Sequence, residues 1–172
     1  MRTDWIAREE YEHLLAALMP ANRLALEIAE TNGLRISDAL SIKTAQLARR
    51  FTIKELKTGK SRRVYLSDEL LDRAERTAGR IWVFEGRNDV RKHRTRQAVY
   101  KDLRRIAKMF RLSENIGTHT GRKIYAVEAY HRTGSLQKVQ ALLKHDKEAV
   151  TMLYALADQL TARRLGKPLR GA

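Results

Sequence analysis

Apolar residues recur at helical spacing in the first third of the chain, and this pattern predicts two helices separated by Pro20. The apolar positions are Tyr11, Leu14, Leu15 and Leu18, followed by Leu24 and Ile28. Asn32 and Gly33 predict the end of the second helix, because glycine readily adopts the left-handed backbone found after a helix. Ser37 predicts the N-cap of a further short helix that runs through Asp38 and Leu40.

Residues 51–66 change to a period of two, which predicts a β-hairpin. The segments FTIKEL and RRVYL each alternate apolar and polar residues, and KTGK separates them. A helix is predicted over about 68–78, and the apolar run Ile81-Trp82-Val83-Phe84 predicts a third strand. Residues 85–95, which contain Gly86, Asn88, Asp89 and several basic residues, predict a loop.

The helical pattern returns at about residue 96 and predicts four more apolar stripes. These are Val99, Leu103, Ile106 and Phe110; Ile124, Val127 and Tyr130; Leu136, Val139 and Leu143; and Val150, Leu153, Ala157 and Leu160. The predicted fold class is therefore mainly α with a small antiparallel β-sheet (α+β). We expect residues 1–172 to form a single domain that ends in a tail over about 161–172.

Charge identifies a class of partner. The net charge of +15 attracts polyanions, and binding to nucleic acid would release counterions. The chain has no cysteine, so disulfides, zinc–thiolate sites and thiol nucleophiles are excluded. The charged N-terminus predicts no secretory signal, and no apolar run approaches the roughly 20 residues that span a bilayer. These features predict a cytoplasmic protein, associated with the nucleoid when it binds DNA.

Two arginines are candidates for holding a phosphate. His119 and Arg122, in THTGRK, are three residues apart and stand at the start of a predicted helix, where backbone N–H groups favour an anion. Arg35, in TNGLRISDAL, could join Arg122 in clamping two phosphate oxygens, with Asp38 supporting Arg35. Each of these residues, taken alone, has an ordinary alternative as a solvated or structural side chain.

Tyr154 becomes a candidate nucleophile only in the company of those residues. It is one of six tyrosines and lies nine residues after His145. A tyrosine with its usual pKa near 10 needs nearby cations and a base before its oxygen can attack phosphorus. Lys57 and Lys60 flank the predicted hairpin turn and are candidates for protonating a leaving oxygen. The predicted contacts to DNA phosphates are Lys60, Arg62, Arg63 and Lys123.

The chain resembles the catalytic domain of the tyrosine recombinase family, which includes phage integrases and fimbrial invertases. TNGLRISDAL resembles the first arginine box of that family, THTGRK its H-x-x-R box, and LLKHDKEAVTMLY its histidine-to-tyrosine ending. IKELKTGKSRRVYL resembles the hairpin that carries the family's lysine. These segments occur in the family's order and cover residues of about 30 to 155, so we expect the tyrosine-recombinase catalytic-domain fold.

The resemblance implies a role for each matching residue. Tyr154 would attack a DNA phosphodiester to form a 3′-phosphotyrosine. The other implied roles are phosphate binding by Arg35 and Arg122, general acid catalysis by Lys57, assistance to proton transfer by His119, a phosphate hydrogen bond from His145, and support of Arg35 by Asp38. No metal and no cofactor are implied, since the phosphotyrosine bond conserves the energy for rejoining.

The resemblance also implies double-stranded DNA as substrate and a homotetramer on paired sites, and it is compatible with a monomer in solution. Lys144 replaces a usual glycine, and Lys123 stands where many members have histidine. Most members carry an N-terminal core-binding domain, whereas this chain starts at the catalytic domain. We therefore expect either a compact recombinase or one that depends on an accessory DNA-bending or site-recognition protein.

The sequence is compatible with three functions. The first is site-specific recombination by integration, excision or inversion. The second keeps the chemistry in a type IB topoisomerase or telomere resolvase, although those enzymes usually carry larger additional domains. The third is a non-catalytic DNA-binding regulator, which the basic stretch RNDVRKHRTRQAVYKDLRR would support.

Overall fold

The computed structural model describes residues 6–143. The chain divides into two compact units at Ile124, so the described residues fall into a first unit, 6–124, and a second, 125–143. The helices are α1 (Arg8–Ala16), α2 (Pro20–Thr31), α3 (Ile36–Leu40), α4 (Asp68–Thr77), α5 (Arg96–Met109), α6 (Thr120–Thr133) and α7 (Leu136–Leu142). Strands β1 (Arg50–Lys54) and β2 (Ser61–Tyr65) form one antiparallel pair. The predicted mainly helical architecture with a small antiparallel sheet is confirmed.

The core of the first unit is built on α2. This helix contacts α1, α3 and α4, while α5 contacts α1 and α3. The apolar stripes predicted from the sequence supply the packing, and their largest fully buried members include Tyr11, Leu14, Leu24, Ile28 and Leu103. Burying side chains of this size stabilises the fold by about 1.5–3 kcal/mol each.

The end of α2 matches the prediction made from Asn32 and Gly33. Gly33 has φ +59°, and the backbone N–H groups of Gly33 and Leu34 donate to the carbonyls of Glu30 and Ala29. This pattern of bonds satisfies the last carbonyls of the helix and turns the chain sharply. The side chain of Asn32 then pairs with the backbone of Tyr65, donating to its carbonyl oxygen at 3.0 Å and accepting from its N–H at 2.8 Å. The turn after α2 is thereby fixed to strand β2.

Two local predictions are wrong. Ser37 does not cap the short helix, because α3 starts at Ile36, two residues earlier than a Ser37 cap implies, and Arg35 occupies the N-cap position. Residues 81–84 do not form a third strand: Trp82 makes a single bridge to Lys43, and Val83 and Phe84 are buried in the core. An apolar run of four residues is typical of a buried segment outside any sheet as well as of a strand. Periodicity alone does not distinguish between them.

The second unit has a small core of its own. Ala126, Ala129, Val139 and Leu143 are buried together, with Tyr125, Tyr130 and Leu136 packed against them. Ser135 caps α7 by accepting a hydrogen bond from the backbone N–H of Lys138. The last predicted helix, with Val150 and Leu160, and the tail at 161–172 lie outside the described residues. Within residues 6–143, no helix is long and apolar enough to cross a membrane.

Candidate active site

Strand alternation gives the hairpin an inner and an outer face with different chemistry. The register pairs Phe51 with Val64 and Ile53 with Arg62 on the inner face, which is largely buried. The pairs on the outer face are Arg50–Tyr65, Thr52–Arg63 and Lys54–Ser61. Arg62 and Arg63 are neighbours in the chain but point to opposite sides, because successive side chains of a strand alternate.

Arg35 and Arg122 both lie at the turn that follows α2. Arg122, on the first turn of α6, donates a hydrogen bond to the carbonyl oxygen of Gly33 at 2.7 Å. Arg35 follows Gly33 by two residues, and its side chain is 10% exposed. Both arginines are close enough to Asp38 that their charges oppose the rise in the pKa of that carboxyl that burial causes. The structure therefore brings together two arginines that are 87 residues apart in sequence.

Asp38 lies close to Arg35 and Arg122, and its support of Arg35 stays a prediction. Its Oδ1 atom accepts a hydrogen bond from the backbone N–H of Leu56 at 2.8 Å, which ties α3 to the end of β1. Burial raises the pKa of Asp38 above its ordinary value, against the lowering effects of this hydrogen bond, Arg35 and Arg122. Burial outweighs the two cations because the desolvated carboxylate is costly in the protein interior.

A buried carboxylate that no motif predicted lies between Arg35 and Arg62. Glu55 has a fully buried side chain; its Oε2 atom lies 3.4 Å from Arg35 Nη1 and its Oε1 atom lies 3.2 Å from Arg62 Nη1. The Thr58 hydroxyl also donates to Oε2, at 2.7 Å. Burial acts to raise the pKa of Glu55, but Thr58, Arg62 and Arg35 outweigh it and hold that pKa below its usual value.

Arg62 is buried in the structure, whereas the sequence predicted that it contacts a DNA phosphate. Its side chain is only 6% exposed, and its guanidinium donates to Glu55 and to the carbonyl oxygens of Asn32 and Gly33. These contacts make Arg62 an internal link between β2 and the turn after α2, so the predicted phosphate contact does not fit its geometry. Strand alternation could have predicted this burial, because Arg62 is two residues before the apolar Val64 and lies on the same face.

We call Arg35, Asp38, Glu55, Arg62 and Arg122 the arginine–carboxylate cluster. Three guanidiniums face two carboxylates, so the cluster has a net charge of +1 when both acids are ionised. A site with this balance favours a monoanion such as a phosphodiester group.

The remaining predicted DNA contacts divide between surface and interior. Lys57 and Lys60 are exposed in the turn between β1 and β2, and Arg63 is exposed on the outer face. Lys123 is 8% exposed on the first turn of α6. Its contact with DNA, like those of Lys60 and Arg63, stays a prediction.

His119 lies directly before α6, as predicted for the H-x-x-R element. The turn is fixed by reciprocal hydrogen bonds between Gly117 and Thr120, and the His119 carbonyl accepts from the Lys123 N–H at 3.1 Å. Gly121 allows α6 to approach α1, because a Cβ there would come within 2.7 Å of the Tyr11 hydroxyl oxygen.

His119 also lines an open cavity of about 560 Å³. The other residues of its wall are Thr95, Arg96, Gln97, Tyr100, Asn115 and Thr118. His145 and Tyr154 lie outside the described residues, so their places in the site stay predictions.

A mainly helical domain with a short hairpin and two arginines converging on one turn defines the class of protein. The phage integrase family model matches residues 4–160. The chain belongs to this family, that of the tyrosine recombinases, so the resemblance inferred from its motifs is confirmed.

Individual relatives agree with the family. The chain is 32% identical over 146 residues to the probable integrase/recombinase YoeC of Bacillus subtilis (strain 168), covering 81% of this chain and 80% of that protein. Its fold is similar to that of the XerH site-specific recombinase bound to its difH substrate (TM-score 0.68, 22% identity, 87% of this chain). It is also similar to a lambda integrase tetramer bound to a Holliday junction (TM-score 0.68, 22% identity, 86% of this chain). The chain spans 48% of the length of each of these two structures.

Proposed function

We propose that this protein is a site-specific DNA recombinase that cuts and rejoins DNA through a 3′-phosphotyrosine intermediate. The observation that carries the proposal is the convergence of Arg35 and Arg122 on the turn at Gly33, close to the buried carboxyl of Asp38. Two arginines at one turn can hold the two non-bridging oxygens of a phosphodiester. They would also stabilise the additional negative charge that develops on those oxygens in the transition state.

The chemistry then follows from the residues that match the family motifs. The Tyr154 oxygen attacks phosphorus, the bond from phosphorus to the 5′ oxygen breaks, and Lys57 gives its proton to that oxygen. His119 assists removal of the tyrosine proton, and His145 donates a hydrogen bond to a phosphate oxygen. Rejoining reverses these steps, so the phosphodiester energy is kept in the phosphotyrosine bond.

Double-stranded DNA is the proposed substrate, and the charge of the chain supports it. The net charge of +15 favours a polyanion, and Lys60 and Arg63 are exposed beside the turn that carries Lys57. The similar XerH structure is bound to a DNA site, and the similar lambda integrase structure is a tetramer on a Holliday junction. We therefore propose that this protein acts as a homotetramer on paired DNA sites.

A nicked suicide substrate tests the proposal. DNA repeats that flank the gene would supply candidate sites, and a nick close to the cleavage position would let the freed 5′ fragment diffuse away. We expect the wild-type protein to form a covalent adduct with DNA that survives denaturing electrophoresis, and Tyr154→Phe to form none. Tyr130→Phe is the matched control: it removes the hydroxyl of a half-buried tyrosine on α6 and should leave the adduct unchanged.

Two results would contradict the proposal. One is specific binding of the wild-type protein to a flanking repeat without any covalent adduct, which would favour the non-catalytic regulator. The other is an adduct that persists in Tyr154→Phe, which would exclude this tyrosine as the nucleophile. Relaxation of supercoiled DNA without exchange between paired sites would instead favour a topoisomerase.

A further inference from the structure

Glu55 lies where the hairpin turn meets the first phosphate-binding arginine. Its side chain is fully buried and joins three parts of the first unit: Arg35 before α3, Arg62 on β2, and Thr58 in the turn. The three contacts are 3.4, 3.2 and 2.7 Å long. Two guanidiniums and a hydroxyl therefore converge on one carboxylate, and each of these contacts is a hydrogen bond strengthened by its negative charge.

The links continue from Glu55 to the second phosphate-binding arginine. Arg62 donates to the Gly33 carbonyl at 3.3 Å, and Arg122 donates to the same oxygen at 2.7 Å. Arg62 also donates to the Asn32 carbonyl at 2.6 Å. Glu55 thus fixes Arg62, and Arg62 fixes the turn on which Arg122 rests.

The same carboxylate holds the turn that carries Lys57. The residue before Lys57 is bound to α3, since the Leu56 N–H donates to Asp38 at 2.8 Å. The residue after it, Thr58, is bound to Glu55. The backbone of Glu55 closes the turn by accepting from the Gly59 N–H at 2.8 Å and donating to the Lys60 carbonyl at 3.0 Å. Lys57 is therefore anchored on both sides to buried carboxylates of the arginine–carboxylate cluster.

We propose that Glu55 is a positioning residue that places Lys57 relative to Arg35 for proton transfer to the leaving 5′ oxygen. The inference rests on the proposed function, in which Lys57 is the general acid. The negative charge of Glu55 is essential to this role, because a neutral carboxamide would leave three guanidiniums facing one carboxylate. Their mutual repulsion would move Arg35, Arg62 and the turn apart, and proton transfer is sensitive to shifts of this kind.

The test compares Glu55→Gln with Asp68→Asn, two variants that remove one negative charge each. Asp68 is an exposed carboxylate that pairs with Arg49, away from the cluster. Both variants therefore raise the net charge of the chain equally, so long-range attraction to DNA changes by the same amount. The measured quantity is the rate of covalent adduct formation on the suicide substrate, with Lys57→Ala as a reference.

A second substrate carries sulfur in place of the bridging 5′ oxygen at the cleavage site. When its phosphorus–sulfur bond breaks, sulfur leaves as a thiolate, which needs no proton because thiols are far more acidic than alcohols. A defect caused by a lost or misplaced general acid is relieved by this substrate. A defect in phosphate binding or in folding is not relieved.

We expect Glu55→Gln to form adduct about 10- to 100-fold more slowly than wild type on the oxygen substrate, since general acids contribute about 10²–10⁴-fold. On the sulfur substrate, Glu55→Gln and Lys57→Ala should both recover to within a few-fold of wild type. Asp68→Asn should match wild type on both substrates, and all variants should bind DNA with similar affinity.

Thr58→Val gives a test that keeps the Glu55 carboxylate and its two guanidinium partners. It removes only the hydroxyl that ties the exposed turn to Glu55, so the protein should fold as wild type, as judged by circular dichroism. Its defect should be smaller, about 3- to 10-fold, because only the two hydrogen bonds of the hydroxyl, to Glu55 and from the Lys60 N–H, are lost and both guanidiniums stay paired with Glu55. The sulfur substrate should relieve this defect too.

The outcomes separate this inference from the proposed function. If wild type forms no adduct, the proposed function fails. If wild type forms the adduct but Glu55→Gln and Thr58→Val both react at the wild-type rate, the positioning role is overturned and the proposed function stands. The role is also overturned if their slow rates persist on the sulfur substrate, or if Lys57→Ala is not relieved there.

Discussion

The two faces of the β1–β2 hairpin place neighbouring arginines in opposite environments. On the inner face, Arg62 is 6% exposed and donates to Glu55 and to two backbone carbonyls. On the outer face, Arg63 is exposed and lies opposite Thr52. The same residue type therefore supports the interior at one position and is available to a polyanion at the next. The basic side chains of this chain therefore fall into two groups, those that pair in the interior and those that stay exposed. The net charge counts both groups together and does not distinguish them.

The energetic consequences of the two environments also differ. A buried guanidinium paired with a carboxylate is costly to remove, since its partner is left charged and desolvated. An exposed arginine contributes little to folding because water screens it and its side chain gives up entropy when it pairs. The inner arginines should therefore control stability and chemistry, whereas the outer ones should affect mainly affinity for DNA.

The largest expected effect is on stability. Arg62→Ala removes the partner of Glu55 and leaves the Asn32 and Gly33 carbonyls without its hydrogen bonds, so we expect a loss of about 3–5 kcal/mol in the free energy of unfolding. Arg63→Ala should change that free energy by less than about 0.5 kcal/mol. Urea unfolding followed by tryptophan fluorescence measures both. Equal losses in the two variants would remove the distinction between the faces.

The next effect is on the rate of DNA cleavage. Arg122→Lys keeps the positive charge but loses the planar fork that can hold two phosphate oxygens. We expect covalent adduct formation to fall about 100-fold, in the range found when a transition-state donor is removed. DNA binding should remain within a few-fold of wild type.

Arg63→Lys is the matched control on the outer face, and its cleavage rate should stay close to that of wild type. A parallel loss of binding and cleavage in Arg122→Lys would contradict the phosphate-clamping role and indicate a mainly electrostatic one.

The smallest effect is a pH dependence of stability that arises from Glu55. The folded protein holds the pKa of Glu55 below its usual value, so its stabilising contribution is present above the unfolded pKa of about 4.3 and is lost as pH falls through the folded value. The stability advantage of wild type over Glu55→Gln should therefore be constant near neutral pH and shrink below about pH 4. Unfolding curves from pH 7 to pH 3 measure this difference.

Asp68→Asn supplies the comparison for this pH effect. Asp68 also has a lowered pKa, caused first by its hydrogen bond to Arg49, but the pair is exposed. Solvent screens such a pair, so its pH-dependent contribution should be smaller than that of Glu55. An advantage of wild type over Glu55→Gln that is the same at pH 3 and pH 7 would contradict a charged Glu55 in the folded protein.

Much of the fold could be predicted because local patterns report local structure. The period-two segments gave the hairpin, and the apolar stripes gave α1, α2, α5 and α6, since side-chain periodicity follows backbone geometry. The predicted third strand at 81–84 failed because a strand needs a partner along its length. Trp82 finds a single bridging residue, Lys43, and the adjacent Val83 and Phe84 enter the core instead.

The candidate site was predictable only in part. Arg35, Arg122, His119 and Lys57 were recognisable from motif order, but Glu55 matched no motif. Glu55 follows Ile53 by two residues in FTIKEL, so strand alternation predicts that its side chain points inward like that of Ile53. Alternation does not predict which residues Glu55 contacts. Phe110 shows the opposite error. Its place in an apolar stripe predicted burial, but it lies at the end of α5 and is 42% exposed.

The sequence by itself determined the family, the helices, the hairpin and the excess of positive charge, because motif order, periodicity and composition are properties of the chain. Only the tertiary structure decided that Arg62 points inward and that Glu55 joins Arg35 to the turn carrying Lys57. Those contacts connect residues up to 30 positions apart, between Asn32 and Arg62. They form because a buried carboxylate and a buried guanidinium must each find a partner in the folded interior, and packing decides which partner is within reach.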